Sequence, residues 1–170
     1  MLARIPEETE SVLVSRKDPG MGGALAAYRF CEAYRQFCFT RKETLPVKHK
    51  DIRRLDITDL EYLLTSCSEV SAEELQKRLT DGAMYGIYLG DELRGFIGIR
   101  EDGGMGYLFV EETYRGKGLA ASLEAYLINR QLEWGWTPYI QVEITQEAVC
   151  RLQEKMGLYE ATGILERYRR

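Results

Sequence analysis

The chain is poor in the residues that bind metals or cross membranes. It has a single histidine, His49, and four cysteines that form no C-x-x-C pair, so a zinc site has almost no ligands to use. We expect the cysteines to be reduced, mostly buried thiols. No run of about 18 apolar residues is present, and the N-terminus lacks the pattern of a secretory signal. We therefore expect no metal, no membrane partner and a cytoplasmic location.

The chain also lacks an excess of positive charge. The net charge of -4 and the pI of about 5.2 disfavour a protein that finds nucleic acid by broad electrostatic attraction. Only 4 prolines occur in 170 residues, of which 45% are hydrophobic. This composition predicts a compact globular domain that buries a sizeable core and has no nucleic-acid partner.

The first 46 residues differ from the rest of the chain in their pattern of predicted strands and helices. Residues 11–15 predict a short strand, and residues 23–37 predict a helix with an apolar stripe. That helix could cover one face of the core or meet its copy in a homodimer, and the stripe fits both. We expect an N-terminal extension over residues 1–46 and a main domain over residues 47–170.

Strands and helices alternate after residue 47. Apolar periodicity, caps and turn signals predict them in this order: strand 49–55, a helix capped by Asp56 or Thr58, a helix after the capping box Ser71-x-x-Glu74, the hairpin strands 84–89 and 93–99, strand 105–110, a helix after residue 118, strand 139–144, helix 146–156 and strand 161–168. This order predicts an α/β (α+β) fold, in which a mixed central β-sheet is flanked by helices and the extension adds one helix and a strand.

The most informative segment is the loop between strand 105–110 and the next helix. Residues 115–120 read Arg-Gly-Lys-Gly-Leu-Ala. A strand that ends in a glycine-bearing turn before a helix directs unpaired backbone N–H groups at one point, where the helix dipole adds positive potential. Gly116 and Gly118 tolerate left-handed backbone angles and let a phosphate approach. The residues alone leave two interpretations open, an anion site and an ordinary turn that binds nothing.

Two common phosphate-binding patterns do not fit this loop. A P-loop requires G-x-x-x-x-G-K-[ST], but Lys117 is followed by Gly118 and not by a hydroxyl residue. A dinucleotide fingerprint requires G-x-G-x-x-G after an early strand, and that spacing does not occur. The loop therefore needs another explanation.

Two segments carry a family resemblance. Val110-Glu-Glu-Thr-Tyr-Arg-Gly-Lys-Gly-Leu-Ala-Ala-Ser-Leu123 closely resembles the acetyl-CoA motif of the GCN5-related N-acetyltransferases (GNAT superfamily), whose loop is R/Q-x-x-G-x-G/A. Arg115, Gly118 and Ala120 match that loop. Gln146-Glu-Ala-Val-Cys-Arg-Leu-Gln-Glu-Lys-Met-Gly-Leu resembles the later segment of the family, in which a helix ends in Lys-x-Gly-Phe.

The resemblance extends from residue 47 to the C-terminus and implies a single GNAT-type domain. Together with the segment Thr-Pro-Tyr-Ile-Gln-Val at 137–142, the later motif is also similar to the branch that contains glycine N-acyltransferases and FR47-like domains. A small molecule or an amino acid is the acceptor that this branch implies. The loop by itself identifies only the acyl donor.

The resemblance implies acetyl-CoA, or a similar short acyl-CoA, as co-substrate. The backbone amides of residues 115–120 would hold its pyrophosphate, and the side chains of Arg115 and Lys117 would face the phosphates. The pantetheine arm would pair with the backbone edge of residues 108–110, and Gln146 would reach the same arm. The implied cofactor-binding residues are Leu108, Phe109, Val110, Arg115, Gly116, Lys117, Gly118, Leu119, Ala120 and Gln146.

Two positions depart from the family pattern. Many members use a tyrosine to protonate the departing thiolate where this chain has Gln153, and some carry a glutamate base where this chain has Gly104. Because an ammonium group has no lone pair, the acceptor amine must lose a proton before it attacks. Glu143, on the strand that would line the opposite side of the cleft, is our candidate base. The alternative for Glu143 is a solvent-facing strand residue.

Several other residues have suitable chemistry but an ordinary alternative role. His49 could act as a base, yet it lies far along the chain from the loop and is expected to be a surface or structural residue. Cys150 is expected to be a small buried hydrophobe. The remaining candidates are two carboxylates that fit a turn and three tyrosines that could orient a substrate or lie in the core: Glu101, Asp102, Tyr85, Tyr88 and Tyr107.

The sequence therefore leads to a hypothesis with one alternative. The hypothesis is an N-acetyltransferase that moves the acyl group from acyl-CoA directly to an amine, in a ternary complex without a covalent intermediate. The alternative is a non-catalytic acyl-CoA-binding sensor or partner module. Acceptor loops vary freely within one fold, so the identity of the amine stays open.

Overall fold

The computed structural model describes residues 9–16 and 21–170, except the side chain of residue 162. The strands and helices of these residues follow in the order β1 (Ser11–Ser15), β2 (Arg29–Cys38), β3 (Ile52–Arg54), α1 (Leu60–Ser66), α2 (Ala72–Thr80), β4 (Met84–Leu89), β5 (Glu92–Ile99), β6 (Met105–Val110), α3 (Leu119–Glu133), β7 (Tyr139–Glu143), α4 (Glu147–Lys155) and β8 (Tyr159–Arg169). The predicted fold class, a mixed sheet flanked by helices, is confirmed.

The predicted helix starts at Asp56 and Ser71 are present. The Asp56 carboxylate accepts the N–H of Thr58 at 2.8 Å, while the Asp59 carboxylate accepts the N–H of Asp56 at 3.0 Å. This reciprocal pair begins a 3₁₀ turn, Ile57–Asp59, that runs into α1. The Ser71 hydroxyl accepts the N–H of Glu74 at 3.2 Å at the start of α2. Both caps satisfy amides that a helix leaves unpaired.

The helix predicted over residues 23–37 is wrong. Residues 29–38 form the strand β2, which pairs antiparallel with β8. Two register shifts, between Phe30 and Glu32 and between Arg35 and Phe37, interrupt the alternation of side chains along β2. Such irregularities remove the period of two that identifies a strand in a sequence. Pairing with a distant segment decided the conformation here.

Internal contacts divide the chain into two compact units. The first contains Met1–Cys38 and Ile140–Arg170. Within it, β8 pairs antiparallel with both β1 and β2. The predicted boundary after residue 46 stays a prediction, and residues 1–8 and 17–20 of the expected extension lie outside the described residues.

The second unit is Phe39–Tyr139 and contains the glycine loop. Its strands lie in the order β6-β5-β4-β3, and the pairs β3–β4, β4–β5 and β5–β6 are antiparallel. Helix α3 packs on β4, β5 and β6. The core cluster of this unit consists of Leu55, Leu63, Leu75, Leu79, Met84 and Phe96. Over the described parts of the chain, no helix combines the length and apolar character that crossing a membrane requires.

Candidate active site

The glycine loop has the backbone geometry that an anion site requires. Gly116 has φ 74° and Gly118, the N-cap of α3, has φ 86°. Both angles lie in the left-handed region that favours glycine. Within the described ranges, a Cβ on Gly116 would have no heavy atom within 4 Å, and a Cβ on Gly118 would meet only the His49 Nε2 at 4.0 Å. The space over both glycines is therefore open to a ligand.

The start of α3 presents unpaired amides to that space. Among the described residues, the N–H groups of Gly118, Leu119 and Ala120 have no protein acceptor. The helix that they begin is 15 residues long, and its aligned peptide dipoles place roughly half a positive charge at this end. Amides and dipole together fit a pyrophosphate, which carries negative charge on several oxygens.

Two side chains of the loop contact the protein itself. The Arg115 Nε donates to the carbonyl oxygen of Val110 at 3.1 Å, which links the loop to the end of β6. The Lys117 Nζ lies 4.7 Å from the centroid of the Tyr114 ring. The Arg94 guanidinium lies 4.5 Å from the same centroid. These contacts hold the loop, so the backbone amides are the groups best placed for an anion.

His49 contacts the glycine loop, which the sequence did not predict. Its Nε2 lies 3.0 Å from the carbonyl oxygen of Lys117, and its backbone N–H donates to the Ser122 Oγ at 3.1 Å. The Ser122 hydroxyl also donates to the carbonyl oxygen of Gly118 at 3.0 Å. These hydrogen bonds agree with the structural role expected for His49. Its position 68 residues before Lys117 gave no sign of this contact, which forms only when the unit folds.

Strand β6, which leads into the loop, contains an irregularity. Its pairing with β5 shifts register between Phe96 and Gly98, and Tyr107 on β6 has φ 56°. A left-handed angle at a non-glycine residue costs of order 1–2 kcal/mol. The Tyr107 hydroxyl donates to the Glu74 carboxylate, and burial, followed by this bond, raises the pKa of the phenol. Tyr107 is therefore a protonated donor that holds β6 to α2.

The end of β6 is anchored by a second carboxylate. Glu111 accepts hydrogen bonds from the Tyr62 hydroxyl and from the Arg94 Nη1, both at 3.0 Å. Burial, followed by the bond to Glu111, raises the pKa of Tyr62. The phenol thus stays protonated and keeps donating over the physiological range. This cluster fixes the position from which the glycine loop begins.

The structure leaves no room for a side chain at position 104. A Cβ at Gly104 would lie 2.8 Å from the Cε2 of Tyr139. The Tyr139 hydroxyl donates to the carbonyl oxygen of Asp102 at 2.8 Å, which holds the ring in place. The space that a glutamate base would need at this position is therefore filled by an aromatic ring.

The predicted base Glu143 and the predicted cofactor residue Gln146 belong to the first unit, whereas Leu108, Phe109 and Val110 lie on β6 in the second unit. Glu143 ends β7 and accepts a hydrogen bond from the Thr145 Oγ1 at 2.8 Å. Gln146 is exposed and precedes α4, where its carbonyl oxygen accepts the N–H groups of Val149 and Cys150 at 3.0 and 3.1 Å. Gln153 is completely buried. The roles assigned to Glu143 and Gln146 stay predictions.

The remaining candidates have structural roles of their own. Glu101 and Asp102 lie in a turn, and the Glu101 carboxylate accepts the Lys77 ammonium at 2.6 Å. Cys150 is buried as expected, whereas Cys31 is exposed, so the expectation of buried thiols does not extend to it. The tyrosines on β4 contact other rings or charges: Tyr85 lies 5.4 Å from the Tyr126 ring, and Tyr88 lies 4.4 Å from the Arg53 guanidinium.

Comparison with solved structures supports the fold. A GNAT-family protein from Novosphingobium aromaticivorans matches with a TM-score of 0.72 at 16% identity, over 93% of this chain and 71% of that one. A Drosophila protein gives 0.74 at 19% identity, over 99% and 63% of the two chains. A GNAT-family acetyltransferase from Colwellia psychrerythraea gives 0.71 at 14% identity, over 96% and 66%. The chain spans less than two thirds of the last two proteins, and identities this low show the fold alone.

A family model gives the assignment. No curated protein sequence matches the chain. The model described as the acetyltransferase (GNAT) domain matches residues 57–161, which is more than half of the chain and includes the glycine loop. The FR47-like branch is finer than this match and stays a prediction. The chain therefore belongs to the GNAT acetyltransferase family.

Proposed function

We propose that this protein is an acyl-CoA-dependent N-acyltransferase, with acetyl-CoA or a similar short acyl-CoA as donor. The observation that supports this most is the loop at the start of α3, where Gly116 and Gly118 both have positive φ angles and the described residues leave room for a ligand. The family of the chain uses this donor. The backbone amides of residues 118–120 would take the pyrophosphate, for the electrostatic reasons given above.

Direct transfer from the donor to an amine is part of the proposal. The amine nitrogen would form a bond to the thioester carbonyl carbon, and the carbon–sulfur bond would then break. We assign the amine proton to the Glu143 carboxylate, alone or through water, because Gly104 offers no base. The departing thiolate needs little acid help, so a proton from solvent suffices in place of the tyrosine that many members have where Gln153 stands.

The acceptor that we propose is the amine of a small molecule or an amino acid. The net charge of -4 favours a small or basic amine over a nucleic acid. The similarity to the glycine N-acyltransferase and FR47-like branch at residues 137–158 supports the same class. Whether the active form is a homodimer is a separate proposal, which the sedimentation velocity of the purified chain tests.

The test is thiol release from acetyl-CoA in the presence of a panel of amines that includes glycine, other amino acids and small diamines. We expect release that depends on one class of amine, together with a calorimetric Kd for CoA. Intersecting initial-rate patterns support the ternary complex, and a ping-pong pattern contradicts direct transfer. Binding of CoA with no release on any amine contradicts the enzyme and favours the sensor module.

A further inference from the structure

The second unit contains a cleft that the donor site does not use. It has a volume of about 620 Å³ and lies among the end of α2, the start of β4, the end of β5 and the last turns of α3. Arg130, which lines it, is twelve residues along α3 from Gly118. At 1.5 Å per residue, this places it about 18 Å from the glycine loop along the helix axis. The cleft is therefore a separate place on the unit.

Four arginines line this cleft, and three of them have carboxylate partners within it or beside it. The Arg78 Nη2 lies 3.0 Å from Asp81, and the Arg130 Nη1 lies 2.7 Å from Glu133. The Arg100 Nε lies 3.7 Å from Asp102. The carboxylate of Glu101, which also lines the cleft, is paired with Lys77. Each acidic group of the cleft thus already has a cation.

Arg54 is the fourth arginine and has no carboxylate partner in the described parts of the chain. A Cβ on Gly82 would lie 1.7 Å from the Arg54 Nη2, so the guanidinium occupies the space that Gly82 leaves free at the wall of the cleft. The preceding residue, Arg53, pairs instead with Asp51 at 2.7 and 2.8 Å. Adjacent strand residues point to opposite faces of a sheet, so only Arg54 brings an unneutralised charge to this cleft.

Two of the paired arginines also keep an unused donor. The Nε atoms of Arg78 and Arg130 are buried and have no hydrogen-bond acceptor among the described residues. Arg78 as a whole is only 7% exposed. These Nε atoms are covered by protein, so Arg78 and Arg130 act on a ligand through the positive charge of their guanidinium groups at the wall of the cleft. An oxyanion is the acceptor that a guanidinium prefers.

Aromatic rings form the rest of the wall. Trp134 and Trp136 meet edge to face with centroids 5.4 Å apart, yet 39% and 48% of their surfaces remain exposed. Tyr85 and Tyr126 line the cleft as well. Exposed aromatic faces next to guanidinium groups favour a flat ligand that stacks on the rings while its charge meets the arginines.

We propose that this cleft binds a small planar anion, in which an aromatic ring carries a carboxylate or a phosphate monoester. Arg54 supplies the free charge and donors, Arg78 and Arg130 add positive charge at the wall, and the two tryptophans contact the ring. The site does not depend on the acyltransferase function, because its residues lie at the other end of α3 from the glycine loop.

The chain offers a direct readout, since Trp134 and Trp136 are its only tryptophans. Tryptophan fluorescence is titrated with benzoate, phenyl phosphate, inorganic phosphate and cyclohexanecarboxylate, and calorimetry checks each Kd. We expect saturable binding of benzoate or phenyl phosphate, and which of the two binds more tightly identifies the anionic group. Inorganic phosphate or cyclohexanecarboxylate binding as tightly as the aromatic probes overturns the planar-ligand proposal.

Arg54→Gln tests the assignment, and Arg53→Gln is the matched control one residue away on the same strand. Loss of one charge-assisted hydrogen bond should weaken binding of the better probe roughly tenfold in Arg54→Gln, with no change in Arg53→Gln. Both side chains are exposed, so both variants should keep the melting temperature of the unmodified protein. Equal affinities in the two variants, or no saturable signal with either aromatic anion, overturns the site.

Discussion

The Nε2 of His49 lies 3.0 Å from the carbonyl oxygen of Lys117, in the middle of the glycine loop. The backbone N–H of the same residue donates to Ser122 in the first turn of α3. His49 therefore contacts both sides of the turn that presents the amides of Gly118 to Ala120. A carbonyl can only accept, so the contact with Lys117 requires a proton on the Nε2.

Replacing His49 with alanine should weaken CoA binding about fivefold, the equivalent of one hydrogen bond of about 1 kcal/mol. Without the imidazole, the Lys117 carbonyl loses its hydrogen bond, and the loop samples more conformations. Isothermal calorimetry with CoA measures the change, and His49→Gln, which can still donate, should recover part of it. Lys50→Ala is the neighbouring control, and an affinity loss equal to that of His49→Ala would contradict a role for the imidazole.

Gly118→Ala should lower the affinity for CoA at least about tenfold, or about 1.4 kcal/mol. Its Cβ would stand where the pyrophosphate approaches the amides, and Gly118→Val should lower the affinity further. The control is Gly90→Ala. Gly90 also has a positive φ angle, of 65°, and space for a Cβ among the described residues, but it lies in the β4–β5 turn. Both alanine variants should lose stability of the order of 1 kcal/mol because of their φ angles. An unchanged Kd in Gly118→Ala removes the loop from the site.

Glu143→Gln should reduce kcat by a factor of roughly 10² or more, as expected for loss of a general base. The KM for the acyl donor should change little, because the amide keeps the shape of the side chain. Glu147→Gln is the control, since Glu147 lies on α4 and pairs with Arg151 at 3.2 Å on the surface. A kcat that falls equally in both variants would show that Glu143 is an ordinary surface residue.

Asp56→Ala should lower the melting temperature at neutral pH, because the N–H and the hydroxyl of Thr58 lose the carboxylate that accepts their hydrogen bonds at the turn before α1. Hydrogen bonds from Thr58 hold the pKa of Asp56 below its ordinary value. The stabilisation is therefore complete above the unfolded pKa of about 3.9 and is lost as the pH falls through the lower folded pKa. Melting curves of both proteins between pH 7 and pH 3 should converge at the acid end. A difference in melting temperature that stays the same from pH 7 to pH 3 contradicts this role of the Asp56 carboxylate.

Gly104→Ala should destabilise the protein by about 1–3 kcal/mol, since its Cβ would press on the Tyr139 ring. Gly22→Ala is the control, because a Cβ there has no heavy atom of residues 9–16 or 21–170 within 4 Å. Urea unfolding compares the two. For the same reason Gly104→Glu should fail to raise kcat, although it places a carboxylate where relatives carry their base. A stable and faster Gly104→Glu enzyme would contradict the steric explanation.

Local sequence patterns predicted most of the strands and helices after residue 47. The caps at Asp56 and Ser71, the hairpin around Gly90 and the glycines of the loop depend on interactions between residues close together in the chain, and all are present as predicted. The segment 29–38 shows where such patterns fail. Its strand is defined by pairing with β8, more than a hundred residues away, and its two register shifts hide the alternation.

The sequence by itself determined the turn at residues 115–120, because a left-handed turn before a helix needs glycine at particular positions. Only the tertiary structure decided which groups surround that turn and which positions lack room for a further side chain. His49 reaches the loop, Tyr139 fills the space at Gly104, and Arg54 and Arg130 line one cleft although they are distant along the chain. Such contacts depend on how β-strands and α3 pack together, and no local residue pattern encodes them.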